Sequence, residues 1–154
     1  MPSPLIVLRG PSGSGKSRTA TALRERYGRG LAIVRQDVVR RDILRERDLV
    51  EGIMDAGRYG AMLAALLADH AGAAHSYYFD IPFDVTVERH FTKPNHADWT
   101  VDDMRDWYVE HDVLPGGVDR VIGSDSTEHD TVERILAETG LLAADRPPHP
   151  SLAD

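Results

Sequence analysis

Hydrophobic residues occur along this 154-residue chain in two patterns, short continuous runs and longer stretches in which apolar positions recur every three or four residues. Continuous runs of this length are typical of strands buried in a parallel sheet, whereas the wider spacing is typical of amphipathic helices. A near-continuous apolar run predicts a strand at residues 5–8, and aromatic and β-favouring residues predict another at 76–81. Further strands are predicted at 31–35 and 119–123, with a short one at 49–54.

The amphipathic stretches predict helices at residues 16–27, 38–47, 59–70, 84–91, 100–109 and 127–139. Asp84, Thr100 and Thr127 are expected to cap the last three of these helices, and Asp103 completes a capping box with Thr100. Strands that alternate with helices predict an α/β domain with a parallel sheet covered on both faces. We expect this domain to span residues 1–142 and residues 143–154 to form a disordered tail.

Composition narrows the range of functions. The net charge of −7 disfavours binding to long nucleic acids, and the lack of cysteine excludes disulfides, thiolate metal sites and cysteine nucleophiles. No apolar run approaches the ~20 residues that a membrane span needs, so we expect no membrane partner and a cytoplasmic location. The seven histidines show no metal-ligand spacing such as H-E-x-x-H.

The residues between the first strand and the first helix form the motif G-x-x-x-x-G-K-S. Glycines allow the backbone to curl so that successive N–H groups point at an anion, and the following helix N-terminus adds to the attraction. Lys16 is expected to contact the β- and γ-phosphates of a nucleoside triphosphate, and Ser17 to ligate Mg²⁺. The predicted nucleotide-binding residues here are Gly10, Pro11, Ser12, Gly13, Ser14, Gly15, Lys16, Ser17 and Arg18.

Asp37 follows the predicted second strand, at the sheet edge where α/β proteins bind ligands. A carboxylate there is suited to accept a proton from an attacking hydroxyl. The alternative is an N-cap of the helix beginning at Val38, since Asp is a favoured capping residue.

The phosphate-loop motif together with Gln36-Asp37-x-x-Arg40-Arg41 resembles small P-loop kinases related to chloramphenicol phosphotransferase, zeta toxins and polynucleotide 5′-kinases. The chain is also similar, over residues 5–142, to short actinobacterial-type proteins described as P-loop kinases or AAA-family ATPases. The resemblance implies a three-layer sandwich with five parallel strands in the order 2-3-1-4-5.

The same resemblance implies roles for individual residues. Asp37 corresponds to the catalytic base, and Arg40 to an arginine that contacts the acceptor or the transferring phosphoryl group. Glu51 corresponds to an acid near the water shell of the metal or near the acceptor, so that Asp37 or Glu51 would contact Mg²⁺ through water. The alternative for Glu51 is an exposed loop acid without such a role. Ser124 lies in the turn that contacts adenine in these kinases.

The resemblance also implies a lid, here at about residues 84–111, that supplies positive charge to the γ-phosphate. Arg89 and Lys93 are the candidates, because a spacing of four places both on one helix face. The alternative is that they are ordinary exposed basic residues.

The function expected from these features is ATP- and Mg²⁺-dependent transfer of a phosphoryl group to a hydroxyl of a small molecule, such as an antibiotic or a nucleoside-like metabolite. One alternative is a polynucleotide 5′-hydroxyl kinase, which would need a basic channel. Another is a regulatory P-loop ATPase without a small-molecule acceptor.

One interval is shorter than the resemblance implies. Only thirteen residues separate Asp37 from Glu51, where the related kinases are expected to place a further helix and the start of the third strand. That region would normally cover the acceptor, so the short interval bears on which hydroxyl enters the site.

Overall fold

The computed structural model describes residues 3–28, 30–39, 54–94 and 96–141. The described strands are β1 (Leu5–Arg9), β2 (Ala74–Asp80) and β3 (Asp119–Gly123). The described helices are α1 (Lys16–Tyr27), α2 (Gln36–Val38), α3 (Ala56–Asp69), α4 (Phe83–Phe91), α5 (Val101–Trp107) and α6 (Glu128–Glu138). Short 3₁₀ turns occupy His96–Asp98 and Pro115–Gly117.

The strands form a parallel sheet in the order β1-β2-β3. Leu5 is level with Ala74 at one end of the first pair, and Arg9 with Tyr78 at the other. These three strands are the first, fourth and fifth of the predicted set, and they lie in the predicted relative order. The described residues contain three strands, however, and not the predicted five.

The predicted second strand is wrong as far as the structure describes it. Residues 31–35 have no ladder partner among the described strands, and Val34 is 80% exposed. A strand exists only by pairing its backbone with a neighbour, so an apolar run without one remains irregular. The predicted third strand at 49–54 lies outside the described residues except for Met54.

One face of the sheet is apolar and carries the main core. Tyr77 and Phe79 of β2 project to this face, and together with Ile81, just after the strand, they pack with Leu23 of α1 and Ile135 of α6. The alternation of side chains along a strand therefore separates this face from the opposite one, which receives Arg9, Ser76, Tyr78 and Asp119. Leu63 of α3 is also fully buried, and α3 contacts β2.

Helix starts agree with most of the sequence signals. The capping box between Thr100 and Asp103 is present at α5, and the Thr127 side chain accepts from the Asp130 N–H at α6. The predicted Asp84 cap is wrong, because Pro82 occupies the N-cap position of α4 and Asp84 lies in the first turn. Helix α5 ends at Trp107, before the predicted residue 109.

Helix α3 begins three residues before the predicted start, at Ala56. Its N-cap is Asp55, whose side chain accepts from the Arg58 N–H. Most of the predicted helix at 38–47 lies outside the described residues, as does the predicted tail at 143–154.

Candidate phosphate-binding site

The motif between β1 and α1 forms a tight loop over the end of the sheet. Gly10 and Gly13 have φ values of 139° and 80°, which L side chains rarely adopt. Space is equally restrictive, since a Cβ at Gly10 would lie 2.7 Å from the Phe79 carbonyl oxygen, and one at Gly13 2.6 Å from that of Thr86. The loop is therefore closely packed on β2 and α4, and these contacts require glycine at both positions.

Lys16 closes the loop on itself. Its Nζ donates to the carbonyl oxygens of Gly10 and Pro11, both at 2.7 Å, and to Ser14 Oγ at 3.2 Å. The N-cap of α1 is Gly15, which has no side chain to satisfy the first N–H groups of the helix. An ammonium group beside such a helix start is a suitable setting for a phosphate. The residues present thus fit a nucleoside triphosphate.

Ser17 and Arg18 are exposed in the first turn of α1. They line an open groove of about 340 Å³ whose other lining residues are Thr21, Ala22, Glu25, Arg35 and Glu128. Arg18 Nε lies 2.8 Å from Glu128 Oε2, which joins the start of α1 to the start of α6. Ser124, which was predicted to contact the nucleotide, is exposed in the turn between β3 and α6. It lies four residues before Glu128, the partner of Arg18.

Arg89 is the predicted lid cation that the structure brings to the loop. Its Nη1 donates to the Ser14 carbonyl oxygen at 3.1 Å, and it also lies 3.9 Å from where a Cβ at Gly15 would stand. Lys93 does not share a helix face with Arg89 as predicted, because α4 ends at Phe91 and Lys93 lies in the following turn. Pro94 follows, and the His96 N–H donates to the Lys93 carbonyl oxygen.

Asp37 lies exposed in the first turn of α2, whose N-cap is Arg35. The alternative that Asp37 is the N-cap of a helix beginning at Val38 is therefore wrong. Arg35 shares the groove described above with Ser17, which places the start of α2 close to the first turn of α1. Arg40 and Glu51 lie outside the described residues, so their predicted roles remain predictions.

The sequence patterns did not single out Arg9, the last residue of β1. It is 2% exposed, and its Nη1 lies 2.6 Å from Asp119 Oδ2, while its Nη2 lies 3.1 Å from Asp112 Oδ2. Nε and Nη2 also donate to the Met54 carbonyl oxygen. The sequence signal that could have indicated a role for Arg9 is its position, since it is a charged residue at the end of an apolar strand, directly before the phosphate loop.

Asp112 and Tyr78 complete this buried group. Both carboxylate oxygens of Asp112 accept from the Ala56 N–H at the start of α3. Burial raises the pKa of Asp112, against the opposing effects of the Ala56 N–H and Arg9. Burial likewise raises the pKa of Tyr78 to about 12, and the Arg9 Cζ lies 5.6 Å from its ring centroid.

Metal ligands and membrane-spanning helices are two further features that would bear on function. Within the described ranges, no group of three His, Asp or Glu side chains could hold a metal ion. None of the described helices has the length and apolar character that a membrane crossing requires.

The chain also matches a known protein family. The sequence profile of a family described as AAA domain, AAA_33, matches residues 5–113, which is more than half of the chain. The matched region begins with β1, includes the phosphate loop, and ends one residue after Asp112. No curated protein matches the chain.

Proposed function

The chain belongs to this AAA domain family, whose P-loop NTPase-like members include kinases, and we propose that it transfers the γ-phosphate of ATP to a hydroxyl of a small molecule. The observation that carries the proposal is the loop geometry. Lys16 is bonded to Gly10 and Pro11, and Arg89 donates to Ser14, so two cations lie on one phosphate-sized turn.

Two positive charges on one loop suit phosphoryl transfer better than simple nucleotide retention. The reaction spreads negative charge over the oxygens of the group in transit, and preorganised cations stabilise that charge. Lys16 would hold the β- and γ-phosphates from the loop side. Arg89, which reaches the loop from α4, would supply a second positive charge to the transferring group.

Ser17 is the residue that would ligate Mg²⁺, since its hydroxyl is exposed in the first turn of α1. The ion supplies charge neutralisation at the phosphate oxygens when it is bound. Gly10 to Arg18 would hold the triphosphate. Ser124 would contact the base, because its turn leads into the helix that pairs with Arg18.

Asp37 is the proposed base that accepts the proton of the attacking hydroxyl. Asp37 is exposed at the start of α2, and Arg35 brings this segment to the groove next to Ser17. Arg40 would assist by contacting the acceptor or the phosphoryl group, and Lys93 would add charge from the turn after α4.

The experiment that tests the proposal is an acceptor screen. Purified full-length protein is incubated with ATP, Mg²⁺ and a library of hydroxyl compounds that includes aminoglycosides, nucleosides and 5′-hydroxyl oligonucleotides, and products are identified by mass spectrometry. A phosphorylated small molecule is the expected result. Phosphate transfer only to oligonucleotide ends, or ATP hydrolysis that no acceptor changes, would contradict it.

A further inference from the structure

The segment 108–112 is fastened to the ends of two strands. Tyr108 donates from its hydroxyl to the Ile81 carbonyl oxygen at 3.1 Å, just after β2. His111 Nδ1 lies 2.7 Å from Oδ2 of Asp80, the last residue of β2. These contacts hold the segment at the edge of the sheet from which the phosphate loop also starts.

The next residue, Asp112, extends the attachment to β1. Its N–H donates to the Tyr78 hydroxyl, and its carboxylate and carbonyl oxygens both bind Arg9 Nη2. His111 has φ 50°, a left-handed conformation that is uncommon for a residue other than glycine. Such a conformation persists only where neighbouring contacts enforce it. The geometry of this segment is therefore tightly constrained.

Arg9 is the residue shared by this segment and the phosphate loop. Its backbone continues into Gly10, whose carbonyl oxygen accepts from Lys16 Nζ. Its side chain bridges two carboxylates, that of Asp119, whose side chain is 1% exposed, and that of Asp112, whose side chain is 11% exposed. A planar guanidinium can satisfy several acceptors at fixed angles, whereas the point charge of a lysine cannot.

We propose that Arg9 is a positioning residue that couples the phosphate loop to the segment 108–112. This inference rests on the proposed nucleotide-dependent function. When a triphosphate orders the loop, the position of Gly10 is transmitted through Arg9 to Asp112, because the buried group cannot loosen without leaving a charge unpaired. A nucleotide bound at the loop would thereby further restrict the segment 108–112, at the end of the predicted lid region.

Hydrogen–deuterium exchange of the full chain, with and without saturating ATP and Mg²⁺, tests the coupling. In the wild type, nucleotide is expected to slow exchange in peptides covering 10–18 and, by about tenfold, in peptides covering 108–114, a factor within the usual range for coupled sites. In Arg9→Lys the protection of 10–18 is expected to persist while that of 108–114 is lost.

Two further variants separate positioning from folding. Asp112→Asn keeps the size of the side chain and removes its charge, and we expect the same selective loss; it carries the test if Arg9→Lys does not fold. Tyr77→Phe removes the hydrogen bond from the Tyr77 hydroxyl to Glu138, on the face of the sheet opposite to Arg9. This variant is expected to retain the protection of 10–18 and of 108–114. Thermal melts confirm that each protein is folded under the conditions of the measurement.

The outcomes are distinguishable. Equal protection of 108–114 in the wild type and both variants, or no protection of 108–114 in the wild type, overturns the coupling and leaves the proposed kinase function intact. Absence of protection at 10–18 in the wild type overturns the proposed function, and the coupling with it. Loss of both protections in the Tyr77→Phe control would show that the response follows general destabilisation.

Discussion

Arg89 of α4 donates from Nη1 to the backbone carbonyl oxygen of Ser14 at 3.1 Å, across 75 residues of chain. The contact places a guanidinium on the phosphate loop through a backbone atom, so it does not depend on the side chain at position 14. The remaining donors of this guanidinium are oriented by the bond, which reduces the entropy lost when they meet a phosphate oxygen.

Arg89→Ala is expected to lower phosphoryl transfer by about 10²–10³-fold, because a preorganised donor to the transition state is removed. Arg89→Lys should retain only part of the wild-type rate, since an ammonium group cannot donate two parallel hydrogen bonds as a planar guanidinium does. Lys93→Ala is expected to have a smaller effect, because Lys93 lies beyond the end of α4. Steady-state kinetics with the acceptor found in the screen measure all three variants. A larger loss of rate in Lys93→Ala than in Arg89→Ala would indicate that Lys93 is the main cation acting on the phosphoryl group.

Lys16→Met is expected to raise the Kd for ATP and Mg²⁺ by at least about tenfold, because hydrogen bonds to charged groups contribute about 1.5–3 kcal/mol. Isothermal titration calorimetry measures the affinity directly. Arg24→Met is the matched control, since Arg24 is an exposed cation in the last turn of the same helix. Equal losses in the two variants would indicate a general charge effect and would remove the specific role of Lys16.

Asp37→Asn is expected to leave nucleotide affinity unchanged and to lower transfer by about 10²–10⁴-fold, the usual contribution of a positioned general base. Asp102→Asn, at an exposed acid in the first turn of α5, serves as the control. Measuring ATP affinity and product formation on the same protein separates binding from chemistry. Transfer at the wild-type rate in Asp37→Asn would exclude Asp37 as the base.

Gly13→Ala and Gly116→Ala form a matched pair. The two glycines have φ values of 80° and 79°, so an alanine is strained by its backbone to a similar degree at either position. A Cβ at Gly13 would lie 2.6 Å from the Thr86 carbonyl oxygen, whereas nothing lies within 4 Å of one at Gly116. Gly116→Ala should cost about 1–2 kcal/mol of unfolding free energy. Gly13→Ala should cost more and should also weaken ATP binding, and equal losses in urea unfolding would contradict the close packing.

Alkaline pH is expected to destabilise the protein through Tyr77. Burial raises the pKa of Tyr77 from 10.0 to about 12, so the unfolded chain loses this proton first as the pH rises. The stability that the neutral hydroxyl contributes is present below pH 10 and is lost between pH 10 and about 12. Urea unfolding across this interval should show a smaller decline in Tyr77→Phe than in the wild type. Identical declines would assign the effect to other groups.

Local features were predictable because they depend on neighbours in sequence. Helix α1 and strand β3 have the predicted bounds, and the capping box at Thr100 is formed. The phosphate loop belongs to this class, since glycine conformations and the Lys16 contacts lie within one motif. The predicted relative order of the three described strands also holds, although it came from a resemblance to known kinases.

Other features needed the tertiary structure because they depend on residues far apart in sequence. The apolar pattern at 31–35 favours a strand, but pairing requires a neighbouring strand, and the described sheet provides none there. Arg9 meets Asp112 and Asp119 across 103 and 110 residues, which no local pattern contains. The sequence by itself therefore determined the local conformation of the phosphate loop. Only the fold decided that Arg89 reaches Ser14, and that a buried arginine links the loop to the segment 108–112.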